Sequence, residues 1–74
     1  MITIPLSKVH KIINKKIKLA RKAWEHRVSV VIYGDHNFRT IIEQLAMCGY
    51  QASAKRCYDY SYPDLTIIEY EIDL

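Results

Sequence analysis

The sequence predicts an α/β (α+β) two-layer sandwich, with two helices packed on one face of a four-stranded mixed sheet. Three observations predict it. Residues 8–26 carry apolar side chains at helical spacing. Residues 28–33 form a compact β-branched run, and residues 65–74 alternate apolar with polar. The inferred order is β-α-β-α-β-β, in a single domain over residues 1–74. A chain of this length buries only about 60% of the surface it exposes when unfolded, so it supports one core.

Ile2, Ile4 and Leu6 alternate as a short first strand, which Pro5 confines to a sheet edge or a strand end. Ser7 stands where an N-cap would, with Leu6 before it as the staple residue. From Lys8 to about His26, Val9, Ile12, Ile13, Ile17, Ala20, Ala23 and Trp24 fall on one apolar stripe. Lys16 falls inside the stripe and must snorkel or pair, and Leu19 lies at its border. His26 and Arg27 suit a helix C-terminus, where cations favour the dipole.

Val28 to Tyr33 is the second strand. Val28, Val30 and Ile32 share one face. Val31 and Tyr33 make the other face apolar too, which predicts a central strand with that face at least partly covered, and offers a homodimer contact. Gly34 and Asp35 break the strand, and Asp35 or Asn37 caps the next helix. That helix places Phe38, Ile41, Ile42, Leu45, Ala46 and Cys48 inward and stops at Gly49. Tyr50 to Tyr60 is a third strand, with Arg56 interrupting its apolar phase through a bulge or an opening to solvent. Ser61 to Asp64 is a turn. Leu65 to Leu74 is the fourth strand, burying Ile68, Tyr70, Ile72 and Leu74 and leaving Glu69, Glu71 and Asp73 on an open face.

The stretch Val30-Val-Ile-Tyr-Gly-Asp35, the helix with Phe38 and Ile41-Ile42, then Gly49-Tyr50, together with the closing pair of strands, resembles the compact β-α-β-α-β-β group. That group includes Alba-type chromatin proteins, the C-terminal domain of a bacterial translation initiation factor, and the sulfur-carrier proteins. The resemblance is one of fold. The carriers begin their first helix with a Cys-Pro pair, whereas this chain reads Ile4-Pro5-Leu6-Ser7, so no sulfur relay is implied. Alba-type proteins have a lysine near the end of the first strand and a basic final hairpin. Here that strand has no lysine, and the hairpin, Asp59 to Asp64, is acidic.

Charge is sorted along the chain. Residues 1–27 carry +7, residues 28–57 carry +1 and residues 58–74 carry −5, for a net charge of +3. Lys8, Lys11, Lys15, Lys18 and Lys22 recur at steps of three and four, which puts them on one side of a helix. The row spans roughly 21 Å at about 1.5 Å rise per residue. No acid precedes Glu25, whereas an ordinary solvated helix face mixes Glu with Lys in i,i+4 pairs. Arg21 and Arg27 extend the row at its edges. Such a strip suits an anionic partner, either nucleic acid or an acidic protein surface.

Tyr58, Tyr60 and Tyr62 alternate through the hairpin, and Tyr62, before Pro63, is the one expected to be exposed and to join a binding surface. Glu69, Glu71 and Asp73 read as edge protection of an outer strand, with Lys55 on a neighbouring strand to offset them.

No nucleophile, base and orienting group can be assembled, and no phosphate-binding glycine loop is present, so no catalytic residue is assigned. His10, His26, His36, Cys48 and Cys57 lack metal-ligand spacing, so neither a metal nor a cofactor is expected. The two cysteines are expected to be small buried thiols in a reducing cytosol. No apolar run approaches the ~20 residues that span a bilayer, and the Met1-Ile-Thr-Ile-Pro5 start is no signal peptide. The sequence therefore predicts a complete, cytoplasmic, non-enzymatic binding protein. The alternative is a phage or mobile-element inhibitor that docks on a host nucleic-acid-handling or defence complex.

Overall fold

Pro5, rather than a serine, opens the first helix. The computed structural model describes residues 3–74. In it α1 spans Leu6–Lys22, and the Pro5 carbonyl accepts the Lys8 and Val9 amides at 3.1 and 3.2 Å. The pyrrolidine ring fixes φ at −62°, and ψ of 142° leaves Pro5 extended just outside the helix. No side chain caps the terminus, so the expected Ser7 cap is corrected: Ser7 lies within the first turn.

The expected first strand is corrected for the same reason. Leu6 is already helical, and Ile2 lies outside the described residues. Thr3 forms one isolated parallel bridge with Asp35, and the Ile4 amide donates to the Asp35 carbonyl at 3.0 Å. Gly34 permits this approach. Its φ is +133°, and a Cβ there would meet Ile4 Cγ2 at 3.2 Å.

The remaining elements are β1 (Arg27–Tyr33), α2 (Phe38–Met47), β2 (Gln51–Asp59) and β3 (Tyr62–Asp73). The sheet has three strands in the order β1-β3-β2, with both pairings antiparallel. The predicted four-stranded mixed sheet is thus replaced by an α-β-α-β-β order. The α2 connection joins the two edge strands, and β3 returns between them. Two expectations fall with this change. Val28–Tyr33 belongs to an edge strand rather than a central one, and the acidic strand β3 is central rather than an outer edge.

Core residues follow strand parity. Val28, Val30 and Ile32 of β1 and Ile68, Tyr70 and Ile72 of β3 are buried beneath Val9, Ile13, Ile17 and Ala20 of α1 and Ile41 and Leu45 of α2. Ala52 and Ala54 of β2 pack against this cluster, and their small size lets α2 sit close. Both helices therefore cover the same sheet face. A bulge does occur in β2, but between Tyr58 and Asp59 rather than at Arg56, which keeps regular register with Ile68. Asn37 caps α2, accepting from the Thr40 amide at 3.4 Å.

Both helices end in Schellman motifs. In α2, the Gly49 amide donates to Ala46 O and the Tyr50 amide to Leu45 O, with Gly49 at φ +90°. In α1, the Trp24 amide donates to Arg21 O and the Glu25 amide to Ala20 O. Trp24 takes the glycine position, at φ +59°. The helix thus stops at Lys22, short of the expected His26, and Trp24 leaves the apolar stripe to stand 89% exposed. A left-handed L-residue costs about 1–2 kcal/mol, and so exposed a ring recovers little by burial. Trp24→Gly is therefore expected to stabilise the domain by about 1 kcal/mol. The readout is a higher urea midpoint with unchanged slope, followed by circular dichroism because Trp24 is the single tryptophan.

Candidate functional site

Lys8, Lys11, Lys15, Lys18 and Lys22 are all exposed, and Val9, Ile13, Ile17 and Ala20 are the buried residues of the same helix. At about 100° per residue the five lysines centre opposite that buried face. They form a ridge along the outer surface of the helix layer. Ion pairs among the described residues draw on Arg27, Lys55 and Arg56, and none involves the ridge. Lys16, expected to snorkel or pair, is exposed, its four-carbon stem carrying the ammonium past the apolar border.

The two flanking arginines part company. Arg21 lies on the side of α1 nearer α2, its guanidinium 5.2 Å from the Tyr50 ring centroid. Arg27 does not extend the ridge, which corrects the expectation from sequence. It is the first residue of β1 and points to the open sheet face, donating from Nε to Asp73 at 2.8 Å and lying 4.0 Å from Glu71. The helix has already ended at Lys22, so helical phase no longer sets the direction of Arg27. Hydrogen bonding to Asp73, then the charges of Asp73 and Glu71, raise its pKa above the ordinary arginine value.

The open face is consequently less acidic than the sequence implies. Central β3 presents Glu69, Glu71 and Asp73, with Arg27 on one side and Lys55 on the other, 3.8 Å from Glu69. Cys57 Sγ lies 3.9 Å from the same carboxylate. Three acids meet two cations, so the charge sorting along the chain leaves one strongly charged side, the lysine ridge.

The hairpin end is aromatic and open. Tyr62 is exposed as expected, and so are Tyr58 and Tyr60. Trp24 adds an exposed aromatic just past Lys22, the end of the ridge. Periodicity could not find it, because the residue belongs to the cap rather than the helix. The only sequence signal was a helical run reaching His26 with no glycine to end it. Cys48 is exposed, not buried, because Gly49 turns the chain directly after it; Cys57 is half-buried. Both thiols are free.

The strand-to-helix loop after β1 borders a cleft of about 650 Å³ that includes Asp35, His36, Phe38, Arg39 and Arg56. Asp35 pairs with Arg56 at 3.5 Å, and the Arg56 guanidinium lies 5.9 Å from the Phe38 ring. His36 Nδ1 donates to the Gly34 carbonyl at 3.0 Å, which leaves Nε2 to accept from the Tyr70 hydroxyl at 2.5 Å. The His36 and Tyr70 rings stack with centroids 5.8 Å apart. These contacts tie the loop to the central strand, and they occupy both imidazole nitrogens. Among the described residues, no three His, Cys, Asp or Glu side chains come together to hold a metal. Among the same residues, no helix is long and apolar enough to cross a membrane.

Comparison with protein-family models, with curated proteins and with solved structures finds no match to this chain. The fold and the lysine ridge therefore stand on their own, and the fold is an α+β sandwich of two helices on a three-stranded antiparallel sheet.

Proposed function

We propose that this chain is a small non-enzymatic binding protein that lays the lysine ridge of α1 against a nucleic-acid backbone. One observation carries the reading. Five exposed ammonium groups lie along one helix, with no carboxylate in that helix and, among the described residues, no ion pair to engage them. Such a row costs self-repulsion and is relieved by a polyanion. Arg21, on the flank of the ridge, and Tyr62, on the exposed hairpin, are the accessory contacts. The free thiols of Cys48 and Cys57 support a reducing, cytoplasmic setting.

Titration of a short duplex and a short single strand, followed by anisotropy at several salt concentrations, tests the reading. Neutralising about five phosphates should weaken binding about 500-fold between about 50 and 200 mM salt.

A second reading is favoured by the exposed Trp24 and Tyr60. Tryptophan and tyrosine are the side chains that anchor protein interfaces. On this reading the ridge meets an acidic protein surface and the aromatics supply the anchor, as in a phage or mobile-element inhibitor docked on a host nucleic-acid-handling or defence complex. It predicts no nucleic-acid binding at low salt and a stable protein complex lost on Trp24→Ala.

A further inference from the structure

Among the described residues, the outer edge of β1 is unpaired from Arg27 to Tyr33. Gly34 donates to Thr66 O and Leu74 to His26 O, both at 2.9 Å, so the even-numbered residues of β1 hydrogen-bond to β3. The amides and carbonyls of Arg27, Ser29, Val31 and Tyr33 therefore point away from the sheet. Among the described residues nothing pairs with them; Thr3 and Ile4 meet the chain only beyond the strand, at Asp35.

The two edges of the sheet differ. β2 carries Lys55 and Arg56 at its middle, the usual protection against strand addition. β1 has a single charge, Arg27 at its end, no proline, and exposed Val31 (43%) and Tyr33 (63%) on the open face. Above the same edge, the flank of α1 presents Leu19, 53% exposed, and Ala23, with Lys16 as the helix's own charge beside them and Glu25 and Arg27 bordering the same surface at the start of β1. Apolar surface thus borders the open backbone groups on both sides.

We infer that two copies of the chain pair their β1 strands antiparallel about a two-fold axis at Val30, making one six-stranded sheet. This inference is independent of the nucleic-acid reading. The register follows from the strand itself. Centring on Val30 sets Arg27 opposite Tyr33 of the second copy and Ser29 opposite Val31. All four outward residues then become hydrogen-bonded pairs, and no outward group is left over. On the open face the pairing opposes no like charges, and it brings a guanidinium beside a tyrosine ring at each end. On the helix face Val28 meets Ile32 and Val30 meets Val30. Lys16 turns its ammonium outward along its flexible stem. The axis is perpendicular to the sheet, so both lysine ridges emerge on the same side.

Sedimentation velocity of the whole chain over a range of concentration tests this. The expected result is a species of twice the chain mass that dissociates on dilution. Val31→Lys, at an exposed position, should abolish it while the far-ultraviolet circular dichroism stays native. Ser29→Pro is the second variant: its amide faces outward, so proline removes a dimer bond and none to β3. Lys16→Leu should lower the concentration at which half the chains dissociate. Ser53→Lys, at the β2 edge, should leave the dimer intact. A wild-type chain that stays monomeric at millimolar concentration overturns the inference, as does a dimer that survives both Val31→Lys and Ser29→Pro.

Discussion

Reversing Lys11, Lys15 and Lys18 to glutamate together should abolish partner binding while leaving the domain folded. The substitution changes the net charge from +3 to −3, six units for three reversals. If about five phosphates are met by the wild-type ridge, the slope of log affinity against log salt is about −4.5; with two lysines left it falls to about −1.8 or less. The introduced carboxylates also repel the phosphates, so affinity should drop by more than the lost contacts alone. Folding should survive for two reasons. All three lysines are exposed, and Glu matches Lys in helix propensity. The balance of neighbouring charges along the helix also improves. Lys18→Glu places an acid four residues before Lys22, the favourable orientation, and Lys11→Glu faces Lys8. These two pairs turn from repulsive to attractive, a gain of about 0.5 kcal/mol each, while the pairs within the reversed triplet stay like-charged. Anisotropy against the partner and urea unfolding separate the two effects. Unchanged binding by a folded triple variant would remove α1 from the function.

The legible and illegible parts of this molecule divide by range. Helix α2, with Asn37 as cap and Gly49 as stop, was readable because every signal lies within a few residues of its effect. The apolar faces of β1 and β3 were readable from alternation alone, and so was the lysine ridge, which needs only helical phase. Strand order was not readable. Nothing local in Leu65 to Leu74 tells an outer strand from a central one, since its acidic face is compatible with both. What distinguishes them is the pairing with β1, seen in the Asp73–Arg27 contact between residues far apart in sequence; the Glu69–Lys55 pair fits either position. The cap at Trp24 is hidden from the sequence for another reason. Its apolar side chain fitted the stripe, and only backbone conformation reveals that it faces water. The number of cations is legible but not their allocation: helical phase assigns Arg27 to the ridge, whereas it is the first residue of β1 and belongs to the sheet.

Cutting the Tyr70–His36 contact should be the most damaging single change available outside the aliphatic core, and its two halves should not cost the same. Tyr70 is fully buried on β3, the central strand. Tyr70→Ala removes a large core side chain and should cost about 3–5 kcal/mol. That is much of the whole stability of a domain of this size, about 4–11 kcal/mol at typical values per residue. Tyr70→Phe keeps the packing and loses one hydrogen bond, leaving His36 Nε2 at the half-buried margin where water can reach it; about 1 kcal/mol is expected. His36→Ala should cost more, about 1–3 kcal/mol, because it strands the Tyr70 hydroxyl without an acceptor in the dry interior. The double variant should cost less than the sum, and urea unfolding of the four proteins measures that coupling.

The same burial sets a pH dependence. Desolvation raises the Tyr70 pKa well above the ordinary tyrosine value. The folded state therefore holds a proton that the unfolded chain releases above about pH 10. Stability from this group is complete below that pH and falls as pH rises through the folded-state value, since the unfolded state then binds fewer protons. Tyr70→Phe should flatten the alkaline side of the stability profile, whereas His36→Ala, which keeps the buried phenol, should not. If Tyr70→Phe leaves the alkaline slope unchanged, the slope has another source. If His36→Ala proves no more costly than Tyr70→Phe, the hydroxyl has found a second acceptor, and the loop after β1 is held by packing alone.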